Sequence, residues 1–235
     1  MQGIRVLTFD IGGTVFDWQT AIIDAINRLA AARGVVVDAR RFALLWRTRM
    51  FELLADVRNA TRPWMNADAL HRLALDTLAD EFSTLGLSHA ERDELNTVWH
   101  RLRAWEEFPA ALVRLRRRYP CVVMTVLSFA IAVDCSRSSG LSWDGIISCE
   151  FLGHYKPHAA AYQKTAALLG VNVNQVLMVA SHRFDLHAAQ AAGMRTAFVH
   201  PKLNEPDLPG LSADPTEQFD IDVPDFDTLA KHLSP

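Results

Sequence analysis

Apolar and polar residues along this chain fall into short buried runs separated by amphipathic stretches. Ile4 to Phe9, Cys121 to Leu127, Gly145 to Cys149, Val176 to Ala180 and Arg195 to Val199 are near-continuous apolar segments bounded by turn residues, the pattern of strands covered on both faces. Between the later runs the period changes to that of a helix, over Ala130 to Ser139, Ala159 to Leu169 and Phe184 to Ala192. Gly140, Gly170 and Gly193 follow them, where a left-handed stop belongs. Strand and helix in alternation predict right-handed crossovers and a mostly parallel, doubly wound α/β sheet.

The first strand breaks this rhythm, because the long segment before the second strand reads almost wholly as helix. Ala21 to Arg33 ends at Gly34, Ala39 to Leu54 is amphipathic, and Asn66 to Leu85 ends at Gly86; Ser88 and Glu91 match a capping box for a further helix. A separate helical unit over residues 15–107 is therefore expected, inserted into a core of residues 1–14 and 108–235, with Pro109 opening the helix that leads back to the sheet. Beyond Val199, Pro201, Pro206, Pro209 and Pro215 predict a long surface loop, and Ile221 to Leu233 a closing strand and helix. No internal repeat or low-complexity tract is evident.

Bulk properties narrow the function classes. Of 235 residues, 24 are Lys or Arg and 27 Asp or Glu, a net charge of −3 that gives no electrostatic reason to expect nucleic acid. No apolar run approaches the roughly 18 residues that span a bilayer, and the N-terminus lacks the organisation of a signal peptide. A cytoplasmic protein without a membrane partner is expected. Cys121, Cys135 and Cys149 are odd in number and form no CxxC pair, so they predict buried, inert thiols and neither a disulfide framework nor a zinc site. The histidines 154, 158, 182, 187 and 200 show no HExxH-type spacing.

In an open parallel sheet, ligands bind beyond the carboxyl ends of the strands. The polar residues after successive strands should therefore meet: Asp10 with Gly12, Gly13 and Thr14, then Ser128, then Lys156, then Ser181, His182 and Asp185. Two carboxylates, a lysine and hydroxyls at one point form a reactive set, not a packing set.

This ordered set, in TFDIGGT, VLS, YKP and VASHRFD, resembles the four motifs of the haloacid dehalogenase superfamily. The resemblance spans nearly the whole chain and implies a Rossmann-like core with the helical insertion as its cap domain. It casts Asp10 as covalent nucleophile, with Lys156, Asp185, Thr14 and Ser128 as its catalytic companions. In the superfamily's phosphatases the residue two beyond the nucleophile is usually an acid that protonates the leaving group; here it is Gly12, which favours a halide that departs without a proton. The fourth motif keeps only Asp185 beside Ser181 and His182, so no cofactor is expected, with Mg²⁺ required only on the phosphatase reading. The segment ALLWRTRM resembles the cap helix of the L-2-haloacid dehalogenases and implies that Arg47 receives the halide or orients the carboxylate.

Substrate contacts implied with Arg47 are Ile11, Gly12, Phe129, Ser181, His182 and Tyr162. Three positions depart from the pattern. Phe129 stands where an Asn assists the halide, Gly12 replaces a tyrosine and should leave space beside the substrate, and His182 takes another Asn position. The resemblance implies a homodimer acting on a small carboxylate, converting a 2-halo acid to a 2-hydroxy acid through an aspartyl ester. The alternatives are a metal-dependent phosphatase or phosphonatase of the same superfamily, and a silent binding protein with this fold.

Overall fold

The computed structural model describes residues 3–205, 208, 211 and 218–234. In chain order the elements are β1 (Val6–Phe9), β2 (Phe16–Asp17), α1 (Trp18–Arg33), α2 (Ala39–Arg58), α3 (Ala67–Leu78), α4 (His89–Asn96), β3 (Arg103–Ala104), α5 (Phe108–Arg116), β4 (Cys121–Thr125), α6 (Phe129–Ser138), β5 (Gly145–Ser148), α7 (Cys149–Leu152), α8 (Ala159–Leu168), β6 (Val176–Ala180), α9 (Arg183–Ala191), β7 (Arg195–Val199), β8 (Ile221–Val223) and α10 (Phe226–Leu233). Six strands form one parallel sheet in the order β5-β4-β1-β6-β7-β8. The chain winds outward from β1 in both directions, so the expected doubly wound α/β architecture is present, with the crevice beside β1 where ligands of such sheets bind.

The residues dictate these elements locally. Val6, Leu7 and Phe9 of β1, like all of β4 and β6, are buried because helices cover both faces of the sheet. Each helix of the insertion starts on a side-chain cap: Asp17, Asp38, Asn66 and Ser88 accept from Thr20, Arg41, Ala69 and Glu91 N–H, and Ser88 with Glu91 completes the capping box. Pro109 sits at the start of α5. Two features differ from the sequence reading. The helix expected over Asn66 to Leu85 ends at Leu78, and the chain turns so that Phe82 packs edge-on against Phe42 at 4.8 Å before a short 3₁₀ turn reaches Gly86. The insertion also begins and ends in a two-stranded antiparallel pair, Phe16 with Ala104 and Asp17 with Arg103, too short for an alternating pattern to register.

Pro201 of the expected loop is described, whereas Pro206, Pro209 and Pro215 lie outside the described residues. The three cysteines are free and buried, and burial first of all raises each thiol to about 12, which keeps them unreactive. Among the described residues no helix is long and apolar enough to cross a membrane.

Candidate active site

Asp10 is the first residue beyond the central strand β1, its amide donating to Val179 O across the sheet at 3.0 Å. The chain then folds back on itself, Val15 and Phe16 N–H both reaching Ile11 O. That turn returns Thr14 to the carboxylate it has just left. Thr14 Oγ1 donates to Asp10 Oδ2 at 2.7 Å and accepts from Ser181 N–H at 3.0 Å, which ties the ends of β1 and β6 together.

Lys156, after the short α7, is 3 % exposed. Its Nζ lies 3.4 Å from Asp10 Oδ1 and 2.8 Å from Asp185 Oδ2, while Tyr162 O–H donates to Asp185 Oδ1 at 2.6 Å. Asp185 occupies the first turn of α9, where the helix dipole favours a negative charge. Opposite Lys156, His182 Nδ1 is 3.2 Å from Asp10 Oδ2. Arg47, in the middle of α2 and 4 % exposed, places NH2 3.1 Å from His182 Nε2 and stacks its guanidinium over Trp18 and Phe51 at 4.7 and 5.0 Å.

The charges explain the protonation states. Burial alone would raise Asp10's pKa, but Lys156, His182 and the Thr14 bond outweigh it and hold the carboxyl well below the usual range. Burial would lower His182 and Lys156, yet Glu205 with Asp10 carries His182 up to about 9, and Asp185 with Asp10 raises Lys156. Asp185 is raised, first by burial and then by Asp10, against the pull of Lys156.

The sequence-derived candidates divide. Asp10, Thr14, Lys156, Asp185, Ser181, His182 and Arg47 form one connected network, with Ile11 fully buried beneath it. Ser128 Oγ accepts from Ile131 N–H at 3.1 Å, capping α6, and keeps its own proton to donate. Tyr162 is completely buried and donates its hydroxyl to Asp185, so it braces a residue of the network. Phe129 turns outward, 43 % exposed against Phe151 at a ring distance of 5.3 Å, and is not brought to the cluster. At Gly12 an added Cβ would meet the Leu127 side chain at 3.4 Å, an ordinary contact distance, so Leu127 borders the space beside this glycine.

Glu205 was not among the candidates, yet it belongs to the network. Its Oε2 pairs with Arg47 Nε at 2.7 Å, and its Oε1 accepts from Trp18 Nε1 at 3.0 Å and lies 3.6 Å from His182 Nε2. Burial opposes its ionisation, but Arg47 and His182 pull its pKa down to about 2. No local signal marks it, because a glutamate in a proline-rich stretch reads as a solvated loop residue; only the fold brings it to Arg47.

A divalent cation needs several hard oxygens converging on one point. Here the Lys156 ammonium stands between Asp10 and Asp185, whose remaining oxygens are taken by Thr14, His182 and Tyr162. Among the described residues no three His, Cys, Asp or Glu side chains gather as a metal site would require. The arrangement does not fit a magnesium ion. It fits an ionised carboxylate nucleophile flanked by fixed cations.

Comparison with known proteins supplies the family. The family model for haloacid dehalogenase-like hydrolases matches residues 4–193. The chain is 25% identical over 213 residues to (S)-2-haloacid dehalogenase 4A of Burkholderia cepacia, covering 88% of this chain and 87% of that protein. It is 24% identical over 203 residues to haloacetate dehalogenase H-2 of Moraxella sp. (strain B), covering 85% and 87%. Among solved structures, that of the L-2-haloacid dehalogenase PA0810 superposes with a TM-score of 0.89 at 32% identity, over 98% of this chain and 99% of that one. The buried aspartate at the end of the central strand, the lysine bridging two buried carboxylates and the family match lead to one conclusion: the chain belongs to the haloacid dehalogenase-like hydrolases.

Proposed function

We propose that this enzyme converts a small 2-halo carboxylic acid to a 2-hydroxy acid through a covalent ester on Asp10. One observation carries the reading: Asp10 is buried and held ionised, while Gly12, two residues on, has no proton to give a leaving group. A halide leaves without protonation; an alkoxide released from a phosphate ester generally needs an acid.

The two oxygens of Asp10 have different surroundings. Oδ2 is held by Thr14 and His182, whereas Oδ1 has, among the described residues, only Lys156 at 3.4 Å and is the freer to attack. In the first step Oδ1 bonds to the halogen-bearing carbon as the carbon–halogen bond breaks, and the halide departs with the electron pair toward Arg47. Ser128 O–H and nearby backbone N–H groups hold the substrate carboxylate, and Arg47 helps to orient it before receiving the halide. In the second step water adds to the Asp10 carbonyl carbon, aided by Asp185. Charge then develops on Oδ2, where Thr14 and His182 already donate. Collapse releases the hydroxy acid with Oδ1; one proton of the water ends on the product and the other passes to solvent. The helical insertion, residues 15–107, acts as a cap that keeps bulk water out during the first step. The names of the relatives, which act on haloacetate and (S)-2-haloacids, support this substrate class.

Oxygen tracing tests it. A single turnover of 2-chloropropionate in ¹⁸O-water should give unlabelled hydroxy acid and a labelled Asp10 peptide by mass spectrometry. Label in the product of the first turnover would refute the ester. Turnover of phosphate esters that disappears with EDTA would favour a phosphatase instead.

A further inference from the structure

The network that should receive an anionic substrate already contains an anion. Arg47, His182 and Trp18 Nε1 are the donors that face away from Asp10, and all three meet the Glu205 carboxylate. The backbone makes room for it: Gly13 has φ +88°, and a Cβ there would stand 2.7 Å from Glu205 Oε1. Three carboxylates (Asp10, Asp185, Glu205) thus face three cations (Lys156, His182, Arg47), and the site is balanced with no substrate present. Adding a substrate carboxylate or a departing halide leaves one buried negative charge uncompensated, which is strongly unfavourable. Removing Glu205 leaves a vacancy for one anion. A cavity of about 180 Å³, lined by Gly13, His182, Phe184, Leu203 and Glu205 itself, adjoins the carboxylate and gives it somewhere to go.

We propose that Glu205 is a built-in occupant of the anion subsite on Arg47 and His182, which substrate must displace, so that this glutamate sets the affinity and charge preference of the enzyme. The proposal rests on the reading of the Asp10 site as one that takes a 2-substituted carboxylate. It makes Glu205 a specificity-determining residue: an anion that fails to outcompete it does not gain Arg47, and an uncharged analogue has no charge with which to displace it.

Calorimetric titration tests this without turnover. L-lactate, a 2-hydroxy acid that cannot be dehalogenated, should bind Glu205→Gln at least 10-fold more tightly than the unsubstituted enzyme, and Glu205→Ala should show the same direction. Lactamide, isosteric but uncharged, should change less than 3-fold. If Glu205 merely braces Arg47, both variants would bind lactate equally or more weakly, and the proposal falls. Equal gains for lactate and lactamide, or no lactate binding by any form, would also overturn it. Tighter lactate binding in an enzyme that turns over no halo acid would instead leave this inference standing and remove the dehalogenase reading.

Discussion

At the scale of single residues, Lys156 has a large predicted effect because it stands between two buried carboxylates. Lys156→Ala should lower kcat by about 100-fold or more, the order expected when one charged stabilising group is lost, with a smaller change in KM. It should also move the acid limb of the kcat profile to higher pH, since Asp10 loses the cation that most opposes its burial. Lys164→Ala, which removes only a bond to Leu152 O, is the control, and an equal loss there would end the assignment. Asp10→Asn should abolish turnover in a protein that still folds, with a lowered thermal midpoint because Lys156 and His182 lose a buried counter-charge. Why these residues were legible follows from their position: Asp10, Lys156, Ser181, His182 and Asp185 each follow a buried strand in sequence, so the parallel sheet alone implies that they meet. Arg47 was legible only through its helix segment's resemblance. Glu205 had no such handle, and no motif foretold that the Tyr162 hydroxyl would meet Asp185 or that Phe129 would be partly exposed, because both depend on the packing of separate elements.

At the scale of elements, the caps and glycine stops located the helices well because they act within a few residues. The break after Leu78 and the β2–β3 pair were not legible because both depend on distant partners, Phe42 and the chain's return at Arg103. The same kind of distant contact joins the helical insertion to the core at His100, whose Nε2 meets Asp68 of α3 and whose Nδ1 meets Asp134 of α6, both at 2.7 Å. Burial opposes the charge on His100, but the two aspartates prevail and raise its pKa above the ordinary value of 6.5. A raised histidine contributes its full stabilisation below about pH 6.5 and loses it as pH climbs through the folded value. His100→Asn should therefore lower the thermal midpoint at pH 6, and the difference from the unsubstituted enzyme should shrink toward pH 9. A difference that does not vary with pH would mean that the bridge carries no charge.

At the scale of the whole molecule, the helical segment and the site share one aromatic cluster, so the stability of that segment and the placement of Arg47 are coupled. Trp99 stacks on Trp18 at 6.2 Å and meets Trp46 edge-on at 5.7 Å, and Trp18 in turn lies under the Arg47 guanidinium. Into this cluster α3 sends His71, completely buried, its ring 3.8 Å from that of Trp99 and neither nitrogen hydrogen-bonded with normal geometry. Burial first, and then the Arg47 cation, hold its pKa well below 6.5, so the folded protein keeps it neutral. The sign is opposite to that of His100. A depressed histidine leaves stability intact above the unfolded value and removes it as pH falls, by about 1.4 kcal/mol per pH unit once the unfolded chain takes up a proton that the folded chain refuses. Asp10 and Glu205, whose pKa values lie below the ordinary carboxylate range, lose their contributions only under more acidic conditions. Between roughly pH 6.5 and 4.5 the acid sensitivity therefore falls chiefly on His71, with smaller changes from His154, which burial and Lys164 lower, and from Asp185, which burial raises. His71→Phe keeps a ring on Trp99 and cannot be charged, so thermal melts of this variant should stay nearly flat across that window, while those of the unsubstituted enzyme fall steadily. Activity should follow, because a positive charge beside the Trp99 stack would repel Arg47 and loosen the helix that presents it. Parallel decline of both proteins with falling pH would place the acid sensitivity elsewhere and dissolve the proposed link between the aromatic cluster and the anion-binding arginine.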